Sequence, residues 1–358
     1  MPIHAILKSF GFDENNVIES FGSGLINHTW KITNGSNNYI LQKINHHVFK
    51  NPEAIDANIN FIGAYLIGNY PHYKFVKPLS SANNRTIEYK DGYFRIFPFI
   101  ENSHSKDIVE TPEQAYEAAS QFGKFTSLLS GIDIRELQTT IPDFHNLSLR
   151  YTQFLHALEN GSQQRIKKAA SLIEKVKSHE GIVSLYERIT GSNDFKLRVT
   201  HHDTKISNVL FDDNDKGLCV IDLDTVMPGY FISDVGDMMR TYLSPVSEEE
   251  KDFSKIVIRD EFYRAVVQGY YEEMKDVLTE TEKTHFFYAG TFIIYMQALR
   301  FLTDYINDDV YYGEKYPEQN LVRAGNQFEL LQRLLEKKEK LEGILYCDQT
   351  AQNSLHKG

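Results

Sequence analysis

Three oxygen-bearing side chains crowd into one short segment of this chain. The run Arg198-Val199-Thr200-His201-His202-Asp203-Thr204-Lys205-Ile206-Ser207-Asn208-Val209-Leu210-Phe211 leads through a polar turn, Asp212 to Gly217, into Leu218-Cys219-Val220-Ile221-Asp222-Leu223-Asp224. Apolar runs on both sides of a polar turn predict a β-hairpin. Asp203 and Asn208 then precede its first strand and Asp222 ends its second, so the hairpin can gather two carboxylates and an amide. That donor set suits phosphoryl transfer. One carboxylate orients an attacking hydroxyl and accepts its proton, while hard oxygens hold a divalent cation against the phosphates. Asp203 is the candidate base, and Asn208 and Asp222 are candidate ligands for Mg²⁺, with ATP as phosphoryl donor. His201 is expected to brace the loop, and Lys205 either neutralises phosphate charge or sits in solvent. Polar residues in turns also cap strands. Here the spacing, the apolar flanks and the second strand ending in Asp together favour chemistry. Asp224 is open among metal ligand, substrate contact and support behind the other acids. Asp234 and Asp237 follow a Pro-Gly turn and start a helix, where capping and bracing are the expected roles.

His201, Asp203 and Asn208 carry the H-x-D-x-x-x-x-N spacing of the kinase catalytic loop, and Asp222 stands where kinases carry a metal-binding Asp. The downstream pattern is Ile-Asp-Leu-Asp instead of Asp-Phe-Gly, which resembles the aminoglycoside phosphotransferase and choline kinase branch. Within that branch, HHDTKISNVLFDD and LCVIDLDTVMPG are most similar to N-acetylhexosamine 1-kinases. The resemblance extends over nearly the whole chain. It implies an α+β, two-lobed protein-kinase-like fold, with a small β-rich N-lobe over residues 1–100 and a larger, mainly helical C-lobe over 101–358. It also implies a small-molecule sugar or alcohol as acceptor. Ala298-Leu299-Arg300-Phe301-Leu302-Thr303-Asp304 and Asp308-Asp309-Val310-Tyr311 resemble the acceptor region of the sugar kinases, which makes Arg300 and Tyr311 candidate substrate contacts beside Asp224. An ordinary ion pair between Arg300 and Asp304, four apart on a helix, is the structural alternative.

The nucleotide side is expected in the first hundred residues. Phe21-Gly22-Ser23-Gly24-Leu25-Ile26-Asn27-His28 lies between two predicted strands, 17–21 and 29–33. Glycines there let backbone N–H groups approach phosphate, so Gly22, Ser23 and Gly24 are candidate nucleotide contacts. A plain hairpin turn explains the same residues, and neither a Walker A sequence nor a full G-x-G-x-x-G is present. GLINHT resembles the matching segment of the sugar 1-kinases, so Asn27 or His28 is a further candidate for reaching substrate. The strand 39–44 alternates so that Leu41 and Lys43 share a face and Gln42 takes the other. Lys43 is the candidate phosphate contact, the alternative being a register shifted by one, with Glu53 a candidate partner. Residues 97–101 form either a hinge offering backbone groups to adenine or a simple linker.

The surrounding elements follow from pattern. Asn34-Gly35-Ser36-Asn37-Asn38 is a hairpin turn, and strands are expected near 86–89 and 92–97. A helix starts at Pro52 with Asn51 as cap and ends before Gly68, burying Ile55, Ile59, Ile62 and Leu66. Thr111-Pro112-Glu113-Gln114 resembles a capping box. Helical stretches follow near 147–159, 163–178, 259–277, 281–306 and 317–340.

Composition narrows the function class. A formal net charge of −11 over 358 residues speaks against nucleic acid as main partner. Cys219 and Cys347, far apart, predict neither disulfides nor a thiolate zinc site. Neighbouring His201 and His202 lack the helical HExxH spacing of a zinc hydrolase. The opening residues lack a signal-peptide pattern, and the apolar stretch near 286–296 is too short for a membrane span, so a cytoplasmic protein is expected. Retention of Asp203, Asn208 and Asp222 favours an enzyme over a catalytically silent nucleotide-binding module.

Overall fold

The computed structural model describes residues 2–13, 15–22, 27–80, 86–90 and 92–344. In chain order the elements are α1 (Pro2–Ser9), β1 (Val17–Ser20), β2 (His28–Asn34), β3 (Asn37–Ile44), α2 (Pro52–Asn69), β4 (Ile87–Tyr89), β5 (Gly92–Pro98) and α3 (Pro112–Leu128). Then come α4 (Leu147–Asn160), α5 (Gln163–Lys168), α6 (Ala170–Lys177), α7 (Gly181–Thr190), β6 (Arg198–Thr200), β7 (Val209–Phe211), β8 (Gly217–Val220) and β9 (Met227–Gly229). The remainder is helical: α8 (Phe231–Tyr242), α9 (Asp260–Met274), α10 (Glu280–Lys283), α11 (Phe286–Ile306), α12 (Gln319–Glu336) and α13 (Lys338–Leu341). The architecture is α+β, with a β-sheet N-terminal region and a helical C-terminal region. The chain divides into two compact units. The first comprises Met1–Ser105, Leu128–Pro142 and Asn208–Pro228, and the second Lys106–Ser127, Asp143–Ser207 and Gly229–Gly358.

In the first unit, five strands form an antiparallel sheet in the order β1-β2-β3-β5-β4. Gly35 and Ser36 make the tight turn between β2 and β3, and Gly35 takes φ 59°, the left-handed conformation that glycine adopts without steric cost. Leu41, Ile32, Phe94 and Ile96 bury one face of the sheet against Ile6 and Leu7 of α1. This eight-residue helix escaped the pattern reading because two turns are too short to establish a period. Helix α2 starts as expected: Pro52 is its first residue, and the Asn51 side chain accepts from the Ala54 amide at 3.1 Å. Ile55, Ile59, Ile62 and Leu66 are all buried. The helix runs one residue past Gly68, because the Tyr70 amide still reaches the Leu66 carbonyl at 2.7 Å and no left-handed cap is needed.

The second unit is built around α11, which is buried on nearly every side, as a helix apolar all round must be. Helices α4, α8 and α12 pack on it. Thr111 caps α3 through its hydroxyl on the Gln114 amide at 3.3 Å, while the Gln114 carboxamide reaches the Glu110 amide at 2.9 Å. The stretch 163–178 divides into α5 and α6 at Ala169, and 281–306 into α10 and α11. Helix α7 was not expected from sequence.

Candidate catalytic and acceptor site

The hairpin of the catalytic segment is present. Val209 pairs with Val220 and Leu210 with Cys219, and the Ile221 amide donates to the Asn208 carbonyl at 2.9 Å. Asn208 and Asp222 therefore leave the same end of β7 and β8. Asp222 has φ 59° and ψ 61°, a left-handed conformation that costs a non-glycine residue free energy and recurs where geometry serves chemistry. One carboxylate and one amide oxygen are the hard donors Mg²⁺ takes when phosphates complete its coordination. No cluster of three or more His, Cys, Asp or Glu able to cage a metal occurs among the described residues. A cation shared with a triphosphate needs no such cage, so the residues fit the ion. Asn208 and Asp222 would hold it.

The loop carrying Asp203 is fixed by α8 and α3. Asp234 accepts the amides of His201 at 3.0 Å and His202 at 2.7 Å, and Asp237 accepts that of Thr204 at 2.8 Å. The Thr204 hydroxyl donates to the Asp234 carbonyl at 2.8 Å, and the Tyr242 hydroxyl to the Thr204 carbonyl at 2.6 Å. Asp234 and Asp237 thus brace the loop that carries Asp203 and do not cap their own helix. The buried His201 ring meets Phe122 edge-on at 5.1 Å, which is the bracing role expected of it. His202 is left-handed at φ 67°, and its Nδ1 lies 3.1 Å from the Thr200 carbonyl. Gly229 lies so close that a Cβ there would sit 2.4 Å from His202 Nε2.

Electrostatics sort these acids by role. Asp203 keeps a fifth of its side chain exposed and lies 3.1 Å from Lys205 Nζ. Burial raises its pKa, but the charges of Lys205 and His201 outweigh that and hold it below the usual carboxylate range. Lys205 in turn is raised, chiefly by Asp203. Asp234 is pushed up to about 7 by burial, with Asp237 and Asp203 adding to the rise against its two backbone hydrogen bonds. Asp237 is bridged to Arg240, and Arg240 to Glu248, which also pairs with Arg323.

In the first unit, Asp224 is buried and ion-paired. Arg95 Nη2 lies 2.5 Å from its Oδ1, and Asn27 donates to Oδ2 at 2.9 Å while accepting the Asn45 amide at 3.0 Å. Arg95 also donates to Gln42, its partner across β3 and β5. Lys43 shares a face with Leu41 as alternation requires, its stem over Gly92 and its ammonium 5.8 Å from the Phe94 ring. That is the face packed against α1. Among the described residues the predicted pair of Lys43 with Glu53 does not form; Arg95 of β5, opposite Gln42 on the other face, is the cation that reaches Asp224. Gly22 has φ 78°, whereas Ser23 and Gly24 lie outside the described residues. At 97–101 the Phe99 amide donates to the Asn38 carbonyl at 3.0 Å, so that backbone donor is already committed. Asn58 was missed: it is buried within the apolar stripe of α2 and bonds Gln138 at both its carbonyl and its amide, and the Val226 carbonyl at 2.9 Å. An Asn on such a stripe was the available signal, since a buried amide requires partners.

Arg300 and Tyr311 come together in the second unit, Nη2 to hydroxyl at 3.5 Å. The ion pair with Asp304 is not made. Asp304 instead accepts the amides of Tyr311 at 2.8 Å and Tyr312 at 2.9 Å, folding the turn through Asp308 and Asp309, both left-handed. Tyr311 is left 72% exposed on that turn.

A model of the "Phosphotransferase enzyme family" matches residues 17–276, which span the elements from β1 to α9. The chain belongs to the phosphotransferase enzyme family. Solved structures share the fold of this phosphotransferase at low identity. A spectinomycin phosphotransferase complexed with ADP and spectinomycin is 14% identical, with 93% of this chain and 98% of that one covered and a TM-score of 0.58. An aminoglycoside phosphotransferase from Alicyclobacillus acidocaldarius is 12% identical, covering 92% and 95% with a TM-score of 0.60. The choline kinase LicA from Streptococcus pneumoniae is 12% identical, covering 92% and 98% with a TM-score of 0.53. Among the described residues no helix is long and apolar enough to cross a membrane.

Proposed function

We propose that this phosphotransferase moves the γ-phosphoryl group of ATP to a hydroxyl of a sugar, the anomeric hydroxyl of an N-acetylhexosamine. The observation that carries the reading is Asp203: an ionised, partly exposed carboxylate on a loop whose amides are pinned by Asp234 and Asp237. In the reaction Asp203 orients the acceptor hydroxyl and takes its proton as the new O–P bond forms and ADP departs. Mg²⁺, when bound, supplies positive charge against the phosphate oxygens, and Asn208 and Asp222 are its proposed ligands. Gly22, Ser23 and Gly24 are the proposed nucleotide contacts; Lys43, the candidate read from sequence, lies on the face that packs against α1 and is not among them. Arg300 and Tyr311 are the proposed acceptor contacts, one a fixed fork of donors and the other a ring face with a hydroxyl.

The test is turnover of a panel of sugars with ATP, with Asp203→Asn beside the wild type. The variant should lose about 10²–10⁴-fold in kcat, the range for removal of a general base, while nucleotide binding stays within a few-fold. A fully active Asp203→Asn protein would reject the assignment. The same fold with a choline-like or aminoglycoside acceptor is the second reading, favoured by the named structural neighbours, and acceptor charge separates the two.

A further inference from the structure

The acceptor end carries more positive charge than Arg300 alone. The Arg300 guanidinium lies over the rings of Phe144 (5.8 Å), Tyr311 (5.8 Å) and Tyr312 (5.4 Å). Its donors are only lightly used, at 3.3 Å to Gln297 Oε1 and 3.5 Å to the Tyr311 hydroxyl. With five N–H groups on a guanidinium, most remain for a ligand. Asp304 does not neutralise it, being occupied by two backbone amides and by Asn320 at 3.1 Å.

A second guanidinium adjoins. Arg150 of α4 donates to Gln153 at 3.0 Å and to the Asp143 carbonyl at 2.9 Å, and its buried Nε has no acceptor among the described residues. Residues 143–145 join the parts: Asp143 receives Arg150, Phe144 lies beneath Arg300, and the rings of Phe144 and His145 adjoin His202 at 6.4 and 5.3 Å. His202 immediately precedes Asp203. The neighbouring carboxylates are engaged: exposed Asp143 accepts from Asn146 at 2.9 Å, and Glu248 lies between Arg240 and Arg323. Burial and then the charge of Arg300 hold Arg150 below its ordinary pKa. Burial, then His202 and Arg300, do the same to His145. Both directions agree with an excess of positive charge at this end, which Asp143 offsets only as a lesser cause.

We propose that Arg150 is a specificity-determining residue which, with Arg300, makes the acceptor end cationic, so that the enzyme accepts neutral or anionic oxygen-rich sugars and rejects acceptors bearing an ammonium group. This rests on the kinase reading above. Hydroxyl, acetamido and carboxylate oxygens accept from guanidinium, whereas an ammonium brings like charge into a partly desolvated site.

The experiment compares glucosamine, N-acetylglucosamine and glucuronate at pH 6.5, where the amine is charged. It reads kcat/KM with Mg-ATP and, independently of turnover, binding by calorimetry on the full chain. N-acetylglucosamine or glucuronate should exceed glucosamine by about tenfold or more, as like-charge exclusion requires. Arg150→Gln and Arg300→Gln should each narrow that ratio, and Arg150→Lys, which keeps the charge, should preserve it. Glucosamine performing as well as the other two, or a ratio unmoved by both Gln variants, overturns the proposal. Absence of turnover with all three rejects the sugar-acceptor reading; the binding ratio then decides the charge preference, and absence of binding by all three overturns it.

Discussion

Asp222 and Asp224 stand two positions apart and do different work. Asp224 is sealed against Arg95, with side chains 2% and 1% exposed, so removing it leaves a buried cation without its partner. Asp224→Ala should destabilise the protein by about 3–5 kcal/mol, the usual cost of breaking a buried pair, measured by denaturant unfolding. Asp222 is instead held left-handed at the foot of the hairpin. Asn tolerates that conformation nearly as well, so Asp222→Asn should fold with stability within about 0.5 kcal/mol of wild type while turnover collapses. Similar stability losses for the two variants would refute this division. At Asp203 the neighbouring cations keep the carboxylate charged below the ordinary range. The acid limb of kcat/KM assigned to it should therefore fall below the usual carboxylate pKa, not near neutrality.

At the scale of elements, α8 does the positioning. It carries both acids that pin the catalytic loop, and it is itself seated closely on α11: a Cβ at Gly236 would lie 2.2 Å from the Ala289 carbonyl. Gly236→Ala must push the helices apart and should cost about 1–3 kcal/mol, as overpacking does. Because Asp234 and Asp237 move with the helix, kcat should fall further than KM rises. A variant with lowered melting temperature and unchanged kcat would show the loop to be independent of α8. The alternating face of β3 was readable, whereas the element opposing each face was not: α1 packs on the face that carries Leu41, leaving Gln42 and Arg95 on the side that meets Asp224.

For the whole molecule, opposing titrations set the pH profile of stability. Asp203, Glu248 and Asp260 have depressed pKa values in the folded state, so their contribution is present above the unfolded carboxylate range and is lost as pH falls from there through their lower folded values. Asp234 is raised from 3.8 to about 7, so its contribution is present below its unfolded value and is lost as pH rises through the folded one. Stability should decline between about pH 4 and 7 by the share owed to Asp234, and Asp234→Asn should flatten that decline. Thermal unfolding of both proteins across this range checks it; parallel curves would show that Asp234 does not titrate there.

The sequence by itself determined the chemistry-bearing hairpin, most strand and helix types and the caps at Asn51 and Thr111, because periodicity, turn residues and short spacings are local properties. It also placed Asn208 and Asp222 at one end of that hairpin. Tertiary structure decided which charges meet. Asn27 reaches Asp224 across 197 positions, Asn58 reaches Val226 across 168, and Arg150, Phe144 and Arg300 assemble from a loop and two helices. A pattern along the chain states which face a side chain occupies. The partner on the other side of that face is chosen by packing, so burial and charge pairing had to be seen in the fold.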